Sequence, residues 1–316
     1  TGHPSGEFNA EDVYSDDDML ITIRLFGYIK RTPVAEFRTQ NRGGVGGKGS
    51  DTRDEDFIEY LYTASMHANI LFFTAKGMVY KMKVYELPEG TKNSKGRAIQ
   101  NLLNIEPDDS VNAVIAYKAN DDENILDTHC LVFATRNGII KKTSIREYAQ
   151  VNVKGKKAII IREGDRVVDV DLTDGNSEII LANRNGRAIR FPEDKVRTMG
   201  RVSTGVRGMT LDGDDDEVVG MVCLRESDRN DILVLSEKGY GKRTDLESYR
   251  ITNRGGKGVK TLAITEKTGK LVAIKSVNDE NDLVIINKSD INIRWACTHI
   301  RNQGGTTQAV VIRNAD

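Results

Sequence analysis

The chain has 316 residues, with 46 Lys and Arg against 47 Asp and Glu and a formal net charge of −1. No run of about 20 apolar residues occurs, which excludes a membrane-spanning helix, and residues 1–18 are polar and acidic, unlike a secretory leader. A cytoplasmic location is therefore the expectation, and composition alone does not favour nucleic-acid binding, which calls for a basic domain.

In chain order, an apolar strand-like run, a tight turn and a short basic segment recur at 21–31, 71–81, 131–142, 180–190, 233–243 and 284–294. The turns fall on Gly27, Gly77, Gly138, Gly186, Gly239 and Asp290, spaced 50, 61, 48, 53 and 51 residues apart. That period predicts one four-stranded blade per repeat in an all-β, propeller-like array. Asn137-Gly138 and Asn185-Gly186 are strong hairpin signals, because glycine takes the positive φ that a tight turn needs. Helical periodicity is scarce, and residues 59–69 are the one stretch left open between helix and strand. The expected organisation is an acidic linker over 1–18 and a single six-bladed domain over 19–316, with blades at about 19–66, 67–124, 125–173, 174–225, 226–278 and 279–316.

Cations follow the turns in a fixed register. The thirty residues that lie within five positions after a turn contain ten Lys or Arg and no acid, where the chain average would give roughly four of each. They are Lys30, Arg31, Lys81, Lys141, Lys142, Arg187, Arg190, Lys242, Arg243 and Arg294. The fourth position is basic in all six copies. Equivalent positions of a radial array share one rim, so the expectation is a ring of charge suited to the phosphates of curved duplex DNA. Lys and Arg also guard exposed strand edges, and that is the bland reading of any single copy.

A second, weaker set of basic loops trails each turn. It supplies Lys95, Arg97, Lys154, Lys156, Arg207, Arg254, Lys257 and Arg301 beside glycines whose backbone N–H groups can approach an anion. The acidic clusters at 16–18, 51–56, 121–123 and 212–217 read as solvated loops. Cys130, Cys223 and Cys297 stand apart in apolar surroundings and read as buried thiols, not as a disulfide or zinc framework. The four histidines are scattered, and no P-loop, paired-histidine metal spacing or nucleophile elbow occurs.

Gln40-Asn41-Arg42-Gly43-Gly44-Val45-Gly46-Gly47-Lys48-Gly49, with Gly27-Tyr28-Ile29-Lys30-Arg31 before it, resembles the first blade of the family of DNA gyrase C-terminal domains, those that end the gyrase A polypeptide. That family's seven-residue box falls on residues 40–46, with Asn41 and Val45 at positions usually basic and Lys48 just beyond. The resemblance implies a six-bladed β-pinwheel that binds and wraps double-stranded DNA without sequence preference. Gln40, Arg42, Gly43, Gly44, Gly46 and Lys48 would then fasten the wrap. It implies a domain without catalysis or cofactor of its own, Mg and ATP serving elsewhere in a holoenzyme of two A and two B subunits, and no small-molecule substrate or membrane. Two rivals remain at this point: a topoisomerase IV-type domain that binds DNA without strong wrapping, and a propeller scaffold for protein partners.

Overall fold

A computed structural model describes residues 13–24, 27–38, 58–91, 93–118, 124–227, 230–277, 282–286, 292–296 and 310–311. The strand that opens each hairpin is apolar at consecutive positions, the pattern of a strand covered on both faces. The sheets explain why. The first contains β1 (Asp18–Arg24), β2 (Tyr28–Pro33) and β3 (Ile58–Ser65); the second contains β4 (Asn69–Thr74), β5 (Met78–Lys83) and β7 (Val111–Tyr117). The third contains β8 (Cys130–Thr135), β9 (Ile139–Ser144) and β11 (Val167–Thr173). The fourth contains β12 (Glu178–Asn183), β13 (Arg187–Pro192) and β15 (Val218–Leu224), and the fifth β16 (Asp231–Ser236), β17 (Tyr240–Thr244) and β19 (Leu271–Val277). Successive side chains alternate faces. Ile70 and Phe72 therefore pack with Met19, Ile21 and Ile29 of the first sheet, and Leu71 and Phe73 with Leu131 and Phe133 of the third. Val132 and Ala134 meet Ile179 and Leu181, while Ile180 and Ala182 meet Ile232 and Val234. The hydrophobic core is thus a series of layers between blades.

Each of these five sheets has a fourth strand donated by the following repeat. β6 (Arg97–Ala98) pairs with β2, β10 (Lys156–Lys157) with β5, β14 (Val206–Arg207) with β9, β18 (Val259–Lys260) with β13, and β22 (Val310–Val311) with β17. The sixth repeat contributes the hairpin β20 (Asp282–Ile286) and β21 (Asn292–Ala296) as a two-stranded sheet. Among the described residues there are five four-stranded blades, which corrects the expected six. The sixth repeat is described only as that hairpin, and each of the five blades has its outer edge closed by its successor. Residues 58–65 are strand, so the stretch left open resolves against helix; the helices α1 (Val34–Arg38) and α2 (Ile125–Thr128) are short. Among the described residues no helix is long and apolar enough to cross a membrane.

The hairpins share one local design. Gly77, Gly138 and Gly186 all have φ of 91°. The residue ending the preceding strand turns its side chain back on the turn. Thr74 Oγ1 accepts from Met78 N at 3.1 Å, Thr135 Oγ1 from Ile139 N at 3.1 Å, Asn183 Oδ1 from Arg187 N at 2.8 Å and Ser236 Oγ from Tyr240 N at 3.2 Å. Asp109, Asp165 and Asp216 each accept a further turn N–H, from Lys76, Asn137 and Asn185 at 2.9–3.1 Å. Asp216 is buried, so part of the 212–217 cluster is structural and not a solvated loop. Residues before β1 are also held: Tyr14 stacks on Tyr85 at 5.3 Å, and Asp16 accepts from His67 N at 3.1 Å.

Candidate nucleic-acid interface

Among the described residues, the cations that trail the turns do not form a solvent-facing ring. Lys30, Arg31, Lys141, Lys142, Arg190, Lys242 and Arg243 are buried, each with 7% exposure or less, and Lys81 and Arg187 are half-buried. This corrects the sequence expectation. The backbone of the fourth position pairs with the next repeat: Arg31 N donates to Pro88 O at 2.9 Å, Met199 N to Lys142 O at 2.8 Å and Thr252 N to Arg190 O at 2.8 Å. That pairing aims the side chain beneath the neighbouring blade, where it meets the short 3₁₀ turn after that blade's hairpin.

There the charge is met by carbonyl oxygens. Arg31 Nε donates to Leu87 O at 2.9 Å, Lys81 Nζ to Ala149 O at 2.6 Å and Lys142 Nζ to Glu193 O at 3.1 Å. Arg190 donates to Leu246 O at 3.1 Å, to Tyr249 O at 2.8 Å and to Glu178 Oε1 at 2.6 Å. Arg243 pairs within its own sheet with Asp231 at 2.8 Å, as Arg190 does with Glu178. Lys142 also faces the fully buried Glu193 carboxylate at 3.7 Å. Leu87, Ala149 and Tyr249 cap the C-terminal ends of their turns, where carbonyls carry partial negative charge and lack intrahelical donors, whereas Glu193 O and Leu246 O open theirs and also accept the turn's own N–H from Val196 and Tyr249 at 3.0 Å. A cation there ties one blade to the next.

The third-position lysines behave alike. Lys30 Nζ donates to Thr91 O at 2.7 Å and Ser94 O at 2.6 Å, and so anchors the loop that carries Lys95 and Arg97. Lys141 is fully enclosed: Nζ donates to Ala158 O at 2.7 Å, Arg201 O at 2.6 Å and Tyr148 Oη at 3.1 Å, and lies 4.8 Å from the Phe133 ring centre. Burial pushes its ammonium down to about 7. Lys81 and Lys242 are lowered by burial too. Arg187 is tied to Gly258 O at 3.1 Å. Arg254, from the weaker set, is tied to Lys195 O at 3.1 Å and Arg207 O at 2.9 Å.

The loops read as weaker are the exposed ones. Lys95, Arg97, Lys154, Lys156, Arg207 and Lys257 are exposed, and so are Lys157 and Lys260, which the sequence reading missed. They sit on or beside the donated outer strands. A glycine of positive φ precedes each strand (Gly96, Gly155, Gly205 and Gly258), and the chain just beyond bonds to the turn-glycine carbonyl. Those bonds run from Ile99 to Gly27, Ala158 to Gly77, Gly208 to Gly138 and Thr261 to Gly186, at 2.7–2.8 Å. Arg97, Lys156, Lys157, Arg207 and Lys260 have no side-chain partner among the described residues. Lys95 lies 4.3 Å over the Tyr28 ring. The signal that could have found Lys157 and Lys260 is the repeated Gly-x-Lys/Arg step, which a two-residue strand makes too short for periodicity to register. Gln40, Arg42, Gly43, Gly44, Gly46, Lys48 and Arg301 lie outside the described residues, as does the Arg294 side chain. Cys130 and Cys223 are free and Cys297 lies outside the described residues.

A chain of blades that each take their outer strand from the next, with uncompensated cations on those strands, defines a β-propeller of the interlocked, pinwheel type. A family described as the DNA gyrase C-terminal domain, beta-propeller, matches residues 17–65, 68–118, 131–174, 177–225 and 230–278. The chain belongs to the DNA gyrase C-terminal domain family. It is 42% identical over 307 residues to the gyrase A protein of Staphylococcus aureus (strain MRSA252), covering 97% of this chain and 34% of that one. It thus spans about a third of the length of the curated relatives it matches. Among solved structures, a crystal structure of the C-terminal domain of DNA topoisomerase IV aligns with TM-score 0.76 at 27% identity, over 95% of this chain and 90% of that one. A DNA gyrase A C-terminal domain aligns with TM-score 0.73 over 95% and 96%, and at 21% identity shows the fold alone.

Proposed function

We propose that the chain binds duplex DNA along the outer edges of its blades and wraps it without reading sequence. The observation that carries this is the row of exposed, unpartnered cations on consecutive donated strands: Arg97, Lys156 with Lys157, Arg207 and Lys260. Each sits at the same edge of its sheet, so one polyanion following the array meets them in turn, and phosphate neutralisation gives salt-dependent, sequence-independent affinity. Smooth bending of 20–30 base pairs by 40–90° costs about 1–6 kcal/mol, within reach of several phosphate contacts.

In this reading the domain is an accessory one, without chemistry or cofactor of its own. It serves a cytoplasmic, ATP-driven gyrase of A and B subunits by presenting wrapped DNA to a cleavage site elsewhere. Arg42 and Lys48 of the box loop fasten the wrap; unchanged supercoiling by an intact enzyme carrying both as alanine overturns that assignment. The test of wrapping is ligation of nicked circles with the purified chain at low salt. A linking-number shift of one sign that grows with protein supports it. Binding without a shift favours the topoisomerase IV-like alternative, and no binding rejects both.

A further inference from the structure

The turn-side face carries a second charged feature, at the edge of the sheets opposite the donated strands. There each hairpin turn of the second to fifth sheets bonds to the start of the edge strand of its own sheet and, at β11, β15 and β19, to that of the next sheet. Arg136 N donates to Arg166 O at 2.9 Å and its carbonyl accepts from Val218 N at 2.8 Å; Arg184 N donates to Glu217 O at 2.8 Å and its carbonyl accepts from Leu271 N at 2.9 Å. Between blades 2, 3, 4 and 5 these crossings border an open cleft of about 400 Å³ whose polar lining is Ser110, Asn112, Arg166, Arg184, Glu217 and Glu237.

Most of that lining is spoken for. Asn112 Nδ2 donates to Val167 O at 2.8 Å and Ser110 Oγ to Asn112 Oδ1 at 3.2 Å. Glu217 faces Arg136 at 3.9 Å, and Glu237 Oε1 accepts from Lys270 N at 2.6 Å. Arg166 and Arg184 are different: among the described residues neither guanidinium has a hydrogen-bond or ion-pair partner, and Arg184 is half-buried. Two planar guanidinium forks without a direct partner, beside the Glu217 and Glu237 carboxylates that line the same cleft, offer bidentate donors to phosphate oxygens. The cleft volume falls within the small-ligand range of about 300–1,000 Å³ and exceeds the needs of a single phosphate.

We propose that this cleft is a site for a compact polyphosphate, two or three linked phosphates, clamped by Arg166 and Arg184. It is separate from the DNA-facing edge, because β11, β15 and β19 lie at the far side of their sheets from β14, β18 and β22. Two sources share the chemistry, inorganic pyrophosphate and the polyphosphate tail of a nucleotide.

The experiment is isothermal titration of the chain with sodium pyrophosphate and, separately, with ATP in the absence of magnesium, both at constant ionic strength. One saturable site is expected, weakened about tenfold or more by Arg166→Ala with Arg184→Ala and unaltered by Lys156→Ala with Lys157→Ala. Equal affinity for the two probes assigns the polyphosphate group itself, and tighter binding of ATP assigns a nucleotide. Both arginines reach the surface, so the paired variant is expected to keep its circular dichroism spectrum. If it does not, Arg166→Lys with Arg184→Lys, which keeps charge and loses the fork, is expected to bind several-fold more weakly. Binding that never saturates, survives both paired arginine variants, or falls equally in the edge-lysine variant overturns the proposal.

Discussion

Replacing Arg190 by alanine separates a strut from a DNA contact. The guanidinium is 3% exposed and holds two carbonyls of the next repeat, at 2.8 and 3.1 Å, and the Glu178 carboxylate at 2.6 Å. Truncation leaves the Tyr249 carbonyl without its side-chain donor, reduces Leu246 O to its bond from Tyr249 N, and unpairs the Glu178 carboxylate, whose side chain is 26% exposed. Breaking a buried pair by removing one partner costs about 3–5 kcal/mol, and with the carboxylate partly in water the low end, about 3 kcal/mol, applies to this pair. Against a domain stability of roughly 5–15 kcal/mol that is a large fraction. The assay is urea unfolding followed by circular dichroism, run beside DNA binding over a salt series. The expected result is a much lower unfolding midpoint with an unaltered salt slope, measured at a urea concentration and temperature where the variant stays folded. A variant as stable as the parent, with a salt slope shallower by about one, would mean that Arg190 faces phosphate, and the assignment of Arg31, Lys81, Lys142 and Arg190 as inter-blade struts would fall.

The exposed set gives the opposite signature: Arg207→Ala is expected to flatten the logarithmic salt dependence of DNA binding by about one, and Lys156→Ala with Lys157→Ala by about two, with stability nearly unaltered. Unchanged slopes would remove these residues from the interface. Gly138→Ala places a Cβ 2.5 Å from Met209 O on a backbone of φ 91°, so it should destabilise by more than the roughly 1–2 kcal/mol of a left-handed non-glycine residue; a melting temperature equal to the parent's would contradict this. Lys141 titrates near 7 when folded and near 10.4 in an unfolded chain. Between those values the unfolded chain holds a proton that the folded chain lacks, so stability rises with pH across that window. Lys141→Met should flatten that rise, which urea midpoints from pH 7 to 10 will read.

The sequence made the blade cores legible, because strand pairing there is local. Leu71-Phe72-Phe73 and Leu131-Val132-Phe133 announce strands buried on both faces, and the turn glycines mark the hairpins. The fourth strand was hidden: Lys156-Lys157 closes a sheet whose nearest partner strand begins at Met78, and two residues carry no period. The regular cations were equally visible and were assigned to the wrong side of the surface. A sequence shows that charge recurs but not its depth, and the carbonyls that explain Arg190 lie 56 and 59 residues downstream. What recurred most strictly was architecture. The second basic loops are held by their backbones and present the exposed charge on side chains that reach solvent, and residues 40–49 carry the family resemblance but lie outside the described structure.

The donated outer strands also fix how load passes through the molecule. A ligand gripped by Arg207 pulls on a segment covalently continuous with the fourth repeat yet zipped into the third sheet beside Ile139 and Ile140. Tension along the edge is resisted jointly by one repeat's chain and another's hydrogen bonds, with Gly205 as the pivot between them. Each blade restrains its predecessor's edge, so the array yields to an external pull as a linked belt, with strain spread along its length.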